Sequence, residues 1–85
     1  MDLEDLFQEA VVNSKTLAQK PSNDTLLKLY AFYKQSTDGD VNVEPPVNPF
    51  DFVGKAKFAA WEELKAMPKE MAMKEYIDII ARLKG

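Results

Sequence analysis

Two phenols and an ammonium, Tyr30, Tyr33 and Lys34, stand close together in the stretch Leu29-Tyr30-Ala31-Phe32-Tyr33-Lys34-Gln35-Ser36-Thr37-Asp38-Gly39-Asp40. If the segment is helical up to the glycine, the three share one face, because residues three and four apart are surface neighbours. Such a face can stack on a flat ring, donate to phosphate oxygens and neutralise their charge, which is what holding a phosphorylated nucleotide requires. The same spacing also suits packing, with half-buried rings, wet hydroxyls and a solvated lysine, and on spacing alone aromatic stripes more often pack than bind.

Other chemistry is scarce. The chain has no histidine and no cysteine, so the common zinc sites and the Ser-His and Cys-His catalytic arrangements are absent. Its three glycines, Gly39, Gly54 and Gly85, make neither a P-loop nor a G-x-G-x-x-G turn. Asp38-Gly39-Asp40-Val41-Asn42 imitates the opening of a calcium loop, but Val43 stands where that loop needs glycine and Pro49 where it needs glutamate. Asp38 and Asp40 are therefore expected to shape the turn. What remains is binding. Lys15, Lys34 and one of Lys55 or Lys57 are the cations that can converge on an anion, and Lys57 stands one turn before Trp61.

Four helices must position these groups. The first is predicted over about Asp2 to Leu17, with Asp2 as N-cap and Leu3, Leu6, Phe7, Ala10, Ser14 and Leu17 as one stripe. Pro21-Ser22-Asn23-Asp24 breaks the chain and caps a second helix through about Thr37, stopped by Gly39. Its apolar set, Leu26, Leu27, Leu29, Tyr30, Phe32 and Tyr33, is wide enough to touch more than one partner. Asp38 to Phe50 holds Pro45, Pro46 and Pro49 and reads as a loop, long for so small a domain. The third helix starts near Asp51, carries Phe52, Ala56, Phe58, Trp61 and Leu64, and ends before Pro68. Pro68 opens the fourth, whose apolar face is Ala72, Met73, Tyr76, Ile77, Ile80 and Leu83. Glu70 with Lys74, and Asp78 with Arg82, are spaced for ion pairs. No segment alternates with a strand's period, so the expectation is one all-α domain, a four-helix bundle.

Its 85 residues, 46% hydrophobic and 29% charged, suit an ordered globular chain with one thin core. No window approaches the roughly 20 apolar residues of a membrane span, and the opening Met1-Asp2-Leu3-Glu4-Asp5 is unlike a signal peptide. With no cysteine in addition, the expectation is a soluble cytoplasmic protein. A net charge of −3 argues against indiscriminate nucleic-acid binding, yet a few lysines around one concavity can still draw a small anion. Nothing in the composition calls for an oligomer, and catalysis is not expected.

The order of these pieces resembles a known family. Phe7 and Lys15, Lys20-Pro21, Leu29-Tyr30-x-x-Tyr33-Lys34-Gln35-x-Thr37-x-Gly39-Asp40, then Asn42, Glu44 and Pro46 are followed by Asp51-Phe52-x-Gly54-Lys55-Ala56-Lys57, Trp61-x-x-Leu64-Lys65 and Lys69-Glu70-x-Ala72-Met73-x-x-Tyr76-Ile77. Over residues 1–85 this is similar to the acyl-CoA-binding proteins, small four-helix carriers of fatty acyl-CoA thioesters. The resemblance implies an up-down-down-up bundle that binds, pools and transports long-chain acyl-CoA as a monomer. It implies neither a cofactor nor chemical change of the ligand, and only transient contact with acyl-CoA-using enzymes. It implies that Tyr33 stacks on adenine and that Tyr30, Lys34 and Lys57 grip the ribose 3′-phosphate. Lys15 would reach the nucleotide, Tyr76 would hydrogen-bond the ligand, and Phe7 would line the acyl groove.

Four features depart from the family's pattern: Val11 for a small alanine, Val53 for a frequent lysine, Phe58 for a second tryptophan, and a 43–49 loop one residue longer that lacks its basic residue. From a different class, the alternative is a helical interaction module whose groove takes an amphipathic partner helix.

Overall fold

The computed structural model describes residues 2–85. Among them it contains four helices and no strand: α1 (Leu3–Ser14), α2 (Asn23–Thr37), α3 (Phe52–Glu62) and α4 (Lys69–Lys84). Met1 lies outside the described residues. Three helices begin on the side chains that sequence chemistry selects. Asp2 accepts from the Asp5 N–H at 2.9 Å, Ser22 from Thr25 at 3.2 Å and Asp51 from Gly54 at 2.9 Å. Each such cap relieves one orphan donor and is worth about 1 kcal/mol. Pro68 precedes α4 at the cap position itself, with no side-chain bond, instead of entering the first turn.

Two helices end earlier than the apolar pattern suggests. α1 stops at Ser14, three residues before Leu17, where Lys15 and Thr16 N–H groups turn to Val12 and Asn13 carbonyls. The hydroxyls of Ser14 and Thr16 then take the carbonyls of Val11 and Asn13, closing the helix with side chains. α3 stops at Glu62, so Leu64 packs from a turn and not from the helix. There Leu64 and Lys65 make the tighter i to i+3 bonds, and Ala66 adopts φ 72°.

The helices pack in the spatial order α1, α4, α2, α3. Thr25 and Lys28 meet Ile79, Arg82 and Leu83, while Gln35 meets Met67, so α2 and α4 are antiparallel. Leu26 and Leu27 face Phe52 and Val53, Tyr30 faces Lys57, and Lys34 faces Trp61, so α2 and α3 run parallel. The result is the up-down-down-up bundle, and parallel α2 and α3 explain the long 38–51 crossover. Phe7, Ala10, Leu29, Tyr76 and Ile80 form the buried core. Of the residues grouped with apolar stripes by their spacing, Phe52 stays largely exposed, and Leu6 and Leu83 are only partly covered.

A polar clamp fixes the far end of α2. The Gln35 amide nitrogen donates to Asp40 Oδ1 at 2.9 Å and to the Met67 carbonyl at 2.8 Å. Asp40 Oδ1 also accepts from the Ala66 N–H at 2.7 Å, and the indole of Trp61 donates to the Gly39 carbonyl at 2.9 Å. Gly39, at φ 83°, makes the left-handed turn that brings its carbonyl round. Asp40 thus shapes the turn as expected, and it also holds the α3–α4 connection. Its carboxyl lies below the ordinary Asp value, chiefly because of the Gln35 bond and then the Ala66 N–H.

Candidate functional site

The outward face of α2 carries the site. Tyr30 is half-buried and Tyr33 is 40% exposed. Both line an apolar cleft of about 280 Å³ walled by Ser14, Leu17, Leu26 and Leu29 and reached from α4 by Tyr76. The helical register places Tyr30 and Tyr33 side by side, and the antiparallel packing of α4 delivers Tyr76 across from them. Its ring lies 6.3 Å from that of Tyr33.

Phe7 sits under this arrangement. It is 1% exposed, stacks at 6.0 Å on Tyr33 and meets Tyr76 edge-on at 5.2 Å. The structure therefore places Phe7 beneath the rings, where it fixes their tilt, and not on the wall of the cleft. Aromatic pairs of this kind are worth roughly 1 kcal/mol beyond burial.

Two cations border the tyrosines, each resting on a ring. The Lys34 ammonium is 5.1 Å from the Trp61 ring, and that of Lys57 is 5.4 Å from the Tyr30 ring. Lysine over an aromatic face gains about 0.5–1 kcal/mol at an exposed site, so both ammonium groups are steered toward the gap between α2 and α3. Lys34 also donates to Asp38 Oδ2 at 2.8 Å. That hydrogen bond raises the lysine above its usual value and lowers the aspartate below its own. Asp38 shapes the turn as expected, as the C-cap of α2, and is an ion-pair partner as well. Lys15 caps the C-terminal end of α1, exposed and adjacent to Ser14 of the cleft wall, and does not itself line the cleft.

A second apolar cleft, of about 360 Å³, continues along α2 on its other flank. Asn23, Leu26, Leu27, Phe52, Val53, Ala56 and Lys57 line it, and Leu26 belongs to both clefts. Sequence reasoning singled out Lys57 as a phosphate contact and Val53 as a departure, and took Leu26, Leu27, Phe52 and Ala56 as apolar residues of their helices; it did not foresee that they line one cleft. The one signal was the unusual width of the apolar set on α2, which exceeds what a single partner helix covers. Among the departures, Val53 lies on the wall of this second cleft and Val11 packs on the core beside the aromatic trio.

The joint arrangement offers stacking surface, two cations and two apolar clefts that flank α2 and share Leu26. Among the described residues no group of three or more His, Cys, Asp or Glu side chains is placed to hold a metal, and no helix is long and apolar enough to cross a membrane.

The family described as Acyl CoA binding protein matches residues 4–80. Acyl-CoA-binding protein homolog 1 of Caenorhabditis elegans is 47% identical over 77 residues, which cover 91% of this chain and 88% of that protein. Enoyl-CoA delta isomerase 2 of Rattus norvegicus is 43% identical over 77 residues, but the match spans only 19% of its length. The crystal structure of Oryza sativa Acyl-CoA-Binding Protein 2 superposes with a TM-score of 0.89 at 35% identity, covering 96% of this chain and 90% of that one.

Proposed function

This chain belongs to the acyl-CoA-binding protein family, and from that premise we propose that it is a non-enzymatic cytoplasmic carrier that pools and transports long-chain acyl-CoA. The observation that carries the reading is the convergence of Tyr30, Tyr33 and Tyr76 on one apolar cleft, with Lys57 over the Tyr30 ring and Lys34, next to Tyr33 in α2, over Trp61. Tyr33, the most exposed ring of the three, stacks on adenine. Tyr30, Lys34 and Lys57 hold the ribose 3′-phosphate through charge-assisted hydrogen bonds. Lys15 supports the nucleotide from the end of α1, and Tyr76 hydrogen-bonds the ligand from α4. Phe7 acts from beneath, as the floor on which Tyr33 and Tyr76 rest.

The acyl chain lies in the apolar clefts beside α2. Burial is worth about 0.8 kcal/mol per methylene, so a chain of about sixteen carbons contributes on the order of 10 kcal/mol before ordering costs. The nucleotide supplies orientation and the chain supplies most of the affinity. The protein works as a monomer, leaves the thioester intact and releases it to acyl-CoA-using enzymes on transient contact.

Calorimetric titration with palmitoyl-CoA, with free CoA and palmitate alongside, tests the reading. Tight one-to-one binding of the thioester, with both fragments much weaker, is the expected result. No heat with any acyl-CoA refutes it and leaves the groove to a partner helix.

A further inference from the structure

Lys34 and Lys57 are not equivalent. Both ammonium groups rest on aromatic rings, but among the described residues only Lys34 is also paired, to Asp38 at 2.8 Å. The family pattern read from the sequence does not specify position 38, where this chain has a carboxylate. It sits at the C-terminal end of α2, four residues after the lysine, and both side chains are partly exposed, at 29% and 38%. The arrangement is poised in solvent and not locked in the core.

We propose that Asp38 is a built-in competitor for the ligand's phosphate, occupying Lys34 in the free protein and setting how strongly the site prefers a 3′-phosphorylated nucleotide. The proposal rests on the reading of Lys34 as a phosphate-gripping residue. An arriving phosphate must either take the ammonium from the carboxylate or share it at the cost of repulsion between two anions. Either cost falls on the charged group of the ligand and not on its base or its chain. Thr37 and Lys69 also act on Asp38; Lys69 gives the displaced carboxylate a second cation to face. The mutual shifts of Lys34 and Asp38 agree with a pair formed in the resting state.

The test compares palmitoyl-CoA with its 3′-dephospho counterpart, titrated calorimetrically into the wild type, Asp38→Asn and Asp38→Ala. Circular dichroism confirms that the variants are folded. The expected result is binding of palmitoyl-CoA tightened about two- to fivefold by either substitution, the scale of an exposed ion pair. Affinity for the dephospho ligand should hardly move, so the ratio of the two rises. A ratio that is unchanged overturns the proposal. So does a ratio that falls, which would mean that Asp38 aligns Lys34 for the phosphate. If the wild type binds neither ligand, the carrier reading itself fails; if it binds both and discriminates normally while the variants do not differ from it, only the role of Asp38 fails.

Discussion

Tyr33 and Lys34, and next to them Gln35 and Ser36, are four consecutive residues of α2 with opposite fates. The first two are partly in solvent: Tyr33 rests on Phe7 and lines the first cleft, and Lys34 lies over Trp61. Gln35 and Ser36 are 0% and 2% exposed, and their donors are spent on Met67, Asp40 and Phe32. The difference reflects what each region must do. A polar group in the interior costs free energy unless it is partnered, whereas a group meant for a ligand has to remain available. The clamp keeps the end of α2 rigid so that the exposed residues one step away hold their positions. Among the described residues, Gln35 Oε1 is the exception among the buried side-chain polar atoms, with no hydrogen-bond partner.

The sharpest way to separate the two regions is to remove one member of each and measure both stability and binding. Lys34→Ala and Lys57→Ala should each weaken palmitoyl-CoA binding by roughly tenfold to a hundredfold, as expected for a lost charge-assisted hydrogen bond. Their thermal midpoints should shift little, because the resting contacts are exposed cation–π pairs and one surface ion pair. Unchanged affinity in both variants would erase the functional side of the comparison.

Gln35→Ala should do the reverse. It strips a donor from both Asp40 and the partly buried Met67 carbonyl, for a loss of about 1–3 kcal/mol in denaturant unfolding. Affinity measured on the folded fraction should stay close to wild type. A large loss of affinity with little loss of stability would show that the clamp touches the ligand directly, and the division between the faces would collapse.

Titration sharpens the same contrast. Asp40 is depressed mainly by Gln35, and Asp38 mainly by Lys34. A carboxyl with a lowered folded-state pKa stabilises fully above its unfolded value, about 4, and loses that contribution as pH falls through the folded value. Melting temperature should therefore decline below about pH 4. Asp40→Asn should flatten that decline without altering phosphate preference. Lys34 is shifted up by Asp38, so its share is complete below the ordinary lysine value, about 10.4, and fades as pH rises through the raised one. A decline that is the same in the wild type and Asp40→Asn would remove Asp40 from the clamp.

How much of this was legible beforehand depended on the distance over which each contact acts. Local chemistry was readable: Asp2, Ser22 and Asp51 cap helices as their side chains predict, and Gly39 takes the positive φ that a stop requires. The shared face of Tyr30, Tyr33 and Lys34 followed from the helical period. Helix ends set by hydroxyls, as at Ser14 and Thr16, were not readable, because the apolar stripe ran on to Leu17. The clamp was out of reach for a stronger reason: Gln35 finds Met67 across 32 residues and Asp40 finds Ala66 across 26. Asp38 was read as a turn residue, which it is as the C-cap of α2; its pairing with Lys34 was not read, since a single aspartate after a helix serves either purpose. The Phe7 stripe identified a core residue correctly without revealing that it lies under the rings and not in the groove.

Ala66 offers the finest test of where the molecule tolerates strain. It holds φ 72° without being glycine, and its N–H meets Asp40 Oδ1 at 2.7 Å. A left-handed alanine costs about 1–2 kcal/mol, so the clamp must outweigh that cost to keep the turn between α3 and α4 in place. Ala66→Gly removes the strain but adds freedom to the unfolded chain, worth about 0.4–1 kcal/mol in the opposite sense. The expected balance is a small gain, about 0.5 kcal/mol, seen as a rise in melting temperature of roughly 2–4 °C for a chain of this size. Binding should be untouched, because the relief occurs on the clamp side of α2. A lower melting temperature would mean that restricting the unfolded chain at position 66 matters more than the strain. In that case the clamp closes on a turn the alanine adopts at little cost.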